Sequence, residues 1–203
     1  MVNILKSKMI EDGMNVYDTD IVVYSSTVRG GTFKLKAKYH NSKITGDFVC
    51  ANLDGLVSLE KSPKVVMGSF SAKNCKNLGS LVGGPEIVGK TFNIAGCGKL
   101  KSLIGAPMSV GEDVYLSLEL ISLTGIGNKY FTRIGGTLFL TSAIVSNVLG
   151  ILKIKDLRKV AYGGRNETLK KVVEILNLHL GSRNINKCRM DLEDVGLEEY
   201  AGL

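Results

Sequence analysis

Three stretches of this chain, residues 46–59, 68–81 and 90–103, are written on one frame and align without a gap. Phe48, Phe70 and Phe92 stand 22 residues apart, as do Leu56, Leu78 and Leu100. Ser58, Ser80 and Ser102 keep that period, and so do Leu59, Leu81 and Leu103. Beyond the aligned segments, Pro63, Pro85 and Pro107 continue it, together with Val66, Val88 and Val110. Six identical columns over three units exclude chance. A coil of about 22 residues cannot bury its own apolar side, so such coils must stack on one another. The repeat therefore predicts a solenoid.

Within a unit the pattern is apolar-x-apolar-x-x-(Leu/Cys)-x-x-Leu-x-x-Leu. The first pair predicts a short strand, because alternation at period two places both residues on one face. The leucines that follow recur every three residues, which suits a turn or 3₁₀-like segment curling back over the strand. Stacking then sets the strands parallel and lays Phe48, Phe70 and Phe92 in a ladder. A fourth unit carries Val114, Leu120 and Leu123. A fifth begins at Leu138, after a four-residue insertion near 128–132. Leu152, Ile154 and Leu157 echo the pattern as a last coil. Upstream, Ile21–Val23 and Phe33–Leu35 read as degenerate strands that begin the stack.

The unit Phe-x-(Cys/Ala/Ile)-x-x-(Leu/Cys)-x-x-Leu resembles the leucine-rich-repeat core, in which Asn or Cys takes the turn position after the strand. Cys75 and Cys97 fall on that position, whereas Leu53 departs from it. The wording of residues 83–89 and 105–111 is similar to short repeats in hypothetical proteins of large tailed bacteriophages, as is the ending from Cys188 to Leu203. The resemblance spans roughly residues 33–203. It implies a leucine-rich-repeat-like solenoid, mainly β, and a viral origin; it brings no activity with it.

Residues 166–180 predict a helix, with Asn166 as N-cap, Glu167 in the first turn and Gly181 at the end. Leu169, Val172, Val173, Leu176 and Leu180 form its apolar stripe. A second helix is expected over about 185–193, with a final turn at 197–200. Together they would cover the open end of the stack, which is otherwise an aggregating edge. The organisation is one continuous domain: degenerate strands over 1–45, coils over 46–160 and a helical cap over 161–203.

Composition agrees with many tight turns and little disorder: 24 glycines against 3 prolines in 203 residues. No apolar run approaches the roughly 18 residues of a membrane span. The first residues lack the apolar core of a signal peptide. Cys50, Cys75, Cys97 and Cys188 form no CxxC pair, which points to free thiols in a reducing, cytoplasmic setting. The net charge of +7 is uneven, with +9 over residues 1–165 and −2 over 166–203. A basic body permits an acidic partner without requiring one.

Nothing in the sequence assembles a catalytic, metal or cofactor motif. His40 and His179 read as surface or rim histidines, and Cys75 and Cys97 as small core residues rather than ligands. Gly125-Ile-Gly127 lacks the continuation a phosphate loop needs. Two surfaces stand out instead. In leucine-rich-repeat geometry the residue between the strand anchors faces the concave side, which gives the column Val49, Ser71, Asn93, Tyr115 and Phe139. Asp47, Ser69, Lys73, Thr91, Asp113, Ser117 and Thr137 flank it. Two aromatics at one end of a rigid sheet are what a binding hot spot uses; burial of Phe139 in the core is the opposing expectation.

The other surface is Lys34, Lys36, Lys38 and Lys43, read as a lysine stripe on a strand that could track phosphates or protect an edge. Lys153, Lys155, Arg158 and Lys159 form a smaller basic cluster. The sequence thus points first to a non-enzymatic protein-binding module acting on a host protein, with a defence component as one candidate target. Nucleic-acid binding through the stripe and a structural role in a virion are the alternatives.

Overall fold

The computed structural model describes residues 8–11, 13–24, 35–116, 122–140 and 148–202. The first half of the chain supplies β1 (Lys8–Glu11), β2 (Met14–Tyr17), β3 (Ile21–Val22), β4 (Ser42–Ile44), β5 (Phe48–Val49), β6 (Val65–Val66) and β7 (Phe70–Ser71). There follow β8 (Ile87–Val88), β9 (Phe92–Asn93), β10 (Ser109–Val110), β11 (Val114–Tyr115), β12 (Arg133–Ile134), β13 (Thr137–Phe139) and β14 (Lys159–Ala161). They form two seven-stranded sheets, ordered β1-β2-β4-β6-β8-β10-β12 and β3-β5-β7-β9-β11-β13-β14. Among the described residues every pairing is parallel except the β1–β2 hairpin that ends the first sheet. The molecule is a parallel β-solenoid with a leucine-rich-repeat-like coil of about 22 residues.

One coil explains the rest. Val66 points inward from the first sheet, and the chain turns at Gly68 and enters the second sheet at Phe70. Val66, Phe70, Ala72, Cys75, Leu78 and Leu81 are all fully buried. The leucine columns close backbone turns, since Leu78 N–H donates to Cys75 O at 3.0 Å and Gly84 N–H to Leu81 O at 2.9 Å. The same turns recur at Leu56 and Leu100, as the three-residue spacing predicted. Asn52 and Asn74 hold the left-handed corner after the second sheet, at φ 58° and 60°. Asn74 Nδ2 donates to Asn52 Oδ1 at 3.1 Å, so even the corner is laddered.

In-register pairing stacks the phenylalanines. Phe48 and Phe70 have centroids 5.7 Å apart at 8°, and Phe70 and Phe92 5.5 Å apart at 17°. Tyr39 closes the ladder edge-on at Phe48, and Phe131 closes it with a tilted ring at Phe92. Phe131 lies in the insertion and fills the space where the phenylalanine column changes to Val114. Each buried Phe or Leu contributes on the order of 1.5–3 kcal/mol, so the ladder adds to the cohesion between coils alongside the leucine columns.

The helical cap follows the sequence closely. α1 spans Glu167–Leu180, and Asn166 Oδ1 accepts the Leu169 N–H at 3.0 Å. α2 spans Ile185–Glu193, with Asn184 as its N-cap, and a 3₁₀ turn over Glu198–Ala201 buries Tyr200. Gly181 stays right-handed at φ −69°, and the left-handed residue after α1 is Arg183 at φ 55°. α1 covers β14 through Asn177, whose amide bonds both the N–H and the C=O of Val160.

Several expectations need correction. The Val66, Val88 and Val110 column belongs to the first sheet, which the repeat pattern did not reveal as strands. The last coil is not a strand at 152–154: residues Val148–Lys153 are a 3₁₀ helix, and the strand is β14. Leu35 is buried without a strand, while Phe33 and Leu120 lie outside the described residues. His179 is not at the surface. It is buried and meets Asp191 at 2.6 Å, tying α1 to α2.

Candidate partner-binding face

The second sheet has one inward and one outward residue at each rung. Phe48, Phe70, Phe92, Val114 and Leu138 are fully buried, and Val49, Ser71, Asn93, Tyr115 and Phe139 are partly exposed on the opposite side. The column read from the sequence therefore faces outward along its whole length. Leu138, not Phe139, enters the core.

Register positions the two aromatics. Tyr115 pairs with Phe139 across adjacent parallel strands, where rungs lie about 4.8 Å apart. Their rings stack with centroids 4.3 Å apart and planes at 6°. The neighbours on either side in the ladder are small, Asn93 next to Tyr115 and Ala161 next to Phe139. Among the described residues no third ring joins the pair. The result is a flat, rigid apolar ridge with polar shoulders, suited to a partner's apolar side chain.

The flanking residues divide. Lys73 is exposed beside the column. Asn93 Oδ1 accepts the Ala95 N–H at 3.0 Å, which fixes its amide. Asp113, expected at the face, spends Oδ1 on the Thr137 N–H at 2.7 Å and so holds one coil to the next. The signal for that role lay one coil further on, in Gly136. Ser117 lies outside the described residues.

The lysine stripe is not a strand. Lys36 precedes a 3₁₀ turn over Ala37–Tyr39 that contains Lys38, and Lys38 Nζ sits 4.8 Å over the Tyr39 ring. Lys43 is partly buried in β4, in the other sheet's register with Val65. Lys34 lies outside the described residues. Among the described residues the alternation that would align Lys36 and Lys38 on one face is therefore absent, because turn residues do not alternate. Lys153, Lys155, Arg158 and Lys159 are all exposed on the last coil. His40 is exposed, as expected.

The cysteines serve packing. None of the four forms a disulfide, and all are buried. Cys75 Sγ donates to Cys50 O at 3.1 Å and Cys97 Sγ to Ala72 O at 3.2 Å, each reaching the coil below. Burial raises the Cys50 and Cys75 thiols and pushes Cys97 up to about 12. Burial likewise pushes Cys188 up to about 11, with Asp191 adding to it. Thiols held protonated in this way are poor nucleophiles and poor metal ligands. No group of three or more His, Cys, Asp or Glu suited to a metal occurs among the described residues. Nor is any helix among them long and apolar enough to cross a membrane.

No protein-family model matches the chain, and no curated protein or solved structure matches it either.

Proposed function

We propose that this chain is a non-enzymatic protein-binding module whose contact surface is the outer face of the second sheet, centred on Tyr115 and Phe139. The observation that carries the reading is the stacked, partly exposed pair on a sheet whose strands are fixed by ladders on both sides. A rigid aromatic anchor loses little entropy on binding, which is why such residues dominate interfaces. The resemblance of the repeats to bacteriophage sequences extends the proposal to a phage-encoded protein. In that setting it acts in the host cytoplasm and binds or inhibits a host protein.

The test is capture from bacterial lysate on the immobilised protein at near-physiological salt, with and without nuclease. A single protein retained in stoichiometric amount after nuclease treatment is the expected result. Recovery of nucleic acid alone overturns it. That second outcome would favour the exposed cations Lys153, Lys155, Arg158 and Lys159, and binding should then weaken steeply with salt.

A further inference from the structure

A second feature is independent of that face. Where the coils meet the helical cap, a cleft of about 230 Å³ opens between the 125–130 turn, the Val148–Lys153 3₁₀ helix and α2. Ile126, Leu149 and Ile185 give it apolar walls, and Asn128, Lys153 and Arg189 bring polar groups to it.

The guanidinium is poorly provided for. Arg189 Nε is buried and has no hydrogen-bond partner among the described residues. Neither Arg189 nor Lys153 forms an ion pair or side-chain hydrogen bond with any of them. Nearby Arg183 is the contrast, since its guanidinium donates to Leu152 O and Leu157 O. Asp191, on the same helix as Arg189, is engaged by His179. A buried donor without an acceptor is costly, and two unpaired cations lining one cleft repel. An anion in the cleft, reached by the terminal guanidinium nitrogens and Lys153 Nζ rather than by the buried Nε, removes the repulsion.

We propose that this cleft binds a small organic anion, a carboxylate or phosphate monoester on a short aliphatic body. Arg189 and Lys153 hold the head, the guanidinium fork matching either oxyanion. Asn128 adds a neutral donor, and the body lies against Ile126, Leu149 and Ile185. The volume suits a ligand smaller than a nucleotide, since drug-sized pockets begin at about 300 Å³.

The test titrates the full chain with inorganic phosphate, butyrate and butyl phosphate, with n-butanol as the uncharged control. Amide shifts of Gly150 and Ala201, both at the cleft, report occupancy. The expected result is saturable binding of a butyl anion, tighter than inorganic phosphate, and the tighter of the two anions identifies the head group. Arg189→Gln and Lys153→Gln should each weaken it about tenfold without lowering the melting temperature, the size of one lost charge-assisted hydrogen bond. Arg189→Lys, which keeps charge and disturbs packing least, should weaken it less than Arg189→Gln. No saturable shift with either butyl anion overturns the proposal. So does butanol binding as well as the anions, inorganic phosphate binding as well as butyl phosphate, or undiminished binding by the glutamine variants.

Discussion

Asp47 Oδ1 accepts the backbone N–H of Ser69 at 2.7 Å, one coil further along the solenoid. Asp20 does the same for Asp47 and Asp113 for Thr137, each at 2.7 Å. In all three cases the residue before the recipient is glycine, Gly46, Gly68 or Gly136, and a Cβ there would overlap the carboxylate oxygen. Where Ser69 and Thr91 replace the aspartate, the following coil carries Lys90 and Glu112 instead of glycine. The carboxylate and the Cβ compete for one space. Coil joining at this corner is thus a two-residue device, and it is separate from the phenylalanine ladder.

That competition predicts coupling. Asp113→Thr should cost about 1 kcal/mol, for one lost hydrogen bond at a part-buried donor. Gly136→Ala should cost more, because the added carbon meets Asp113 and the Glu112 backbone. Combining Asp113→Thr with Gly136→Ala should cost less than the sum, since Thr91 and Glu112 already tolerate that pairing one coil earlier. Thermal melts of the four proteins measure this, and strict additivity would show that the two residues do not share the space.

The end of the stack depends on Asn177. Its Oδ1 accepts the Val160 N–H and its Nδ2 donates to Val160 O, both at 2.9 Å, so one amide replaces the strand that is missing beyond β14. Asn177→Leu should lower stability by about 1–3 kcal/mol and leave β14 as an open edge. Asn177→Asp retains the acceptor and loses the donor, and should fall between the two. Melting temperature and light scattering read this out, with new oligomers expected for the leucine variant. A monomer that melts like the parent would mean the edge is protected by other contacts.

How much of this was legible follows from how many residues each feature uses. The phenylalanine strands and leucine turns were readable because each coil repeats several buried positions at fixed spacing. The first sheet was not, although Val66, Val88 and Val110 lay in plain register. A two-residue strand offers one inward position, too few for alternation to register. Asn166 and the α1 stripe marked the cap, but the burial of His179 depends on Asp191 across a helix turn, a contact no local pattern encodes. Tyr115 and Phe139 were visible as outward residues. Their stacking followed from register, while the assignment of Asp113 to the same face overlooked its backbone bond. The strand expected under Lys36 and Lys38 was misread because a 3₁₀ turn over Ala37–Tyr39 stands where alternation was read.

The buried thiols predict an alkaline limit to stability. Cys97 and Cys188 are raised from an ordinary 9.0 to about 12 and about 11. Below pH 9 the thiols are protonated in both folded and unfolded chains, so their contribution is complete. Above it the unfolded chain releases protons that the folded chain retains, and stability is lost as pH climbs through 9 towards the folded values. The melting temperature should therefore fall between pH 9 and 12, and less so in Cys97→Ala relative to its own value at pH 8. At pH 8 a thiol-specific reagent should label none of the four before unfolding. Prompt labelling of the native protein would contradict their burial.

The measurement closest to the central claim compares a captured partner's affinity for the parent protein and for Tyr115→Ala/Phe139→Ala. The rings lie outside the buried ladder and their stacking is worth only about 0.5–1.5 kcal/mol, so the double variant should remain folded. Its affinity should drop more than about tenfold, as expected for a hot spot. Undiminished affinity in the folded double variant would contradict the account and move the contact surface elsewhere on the solenoid.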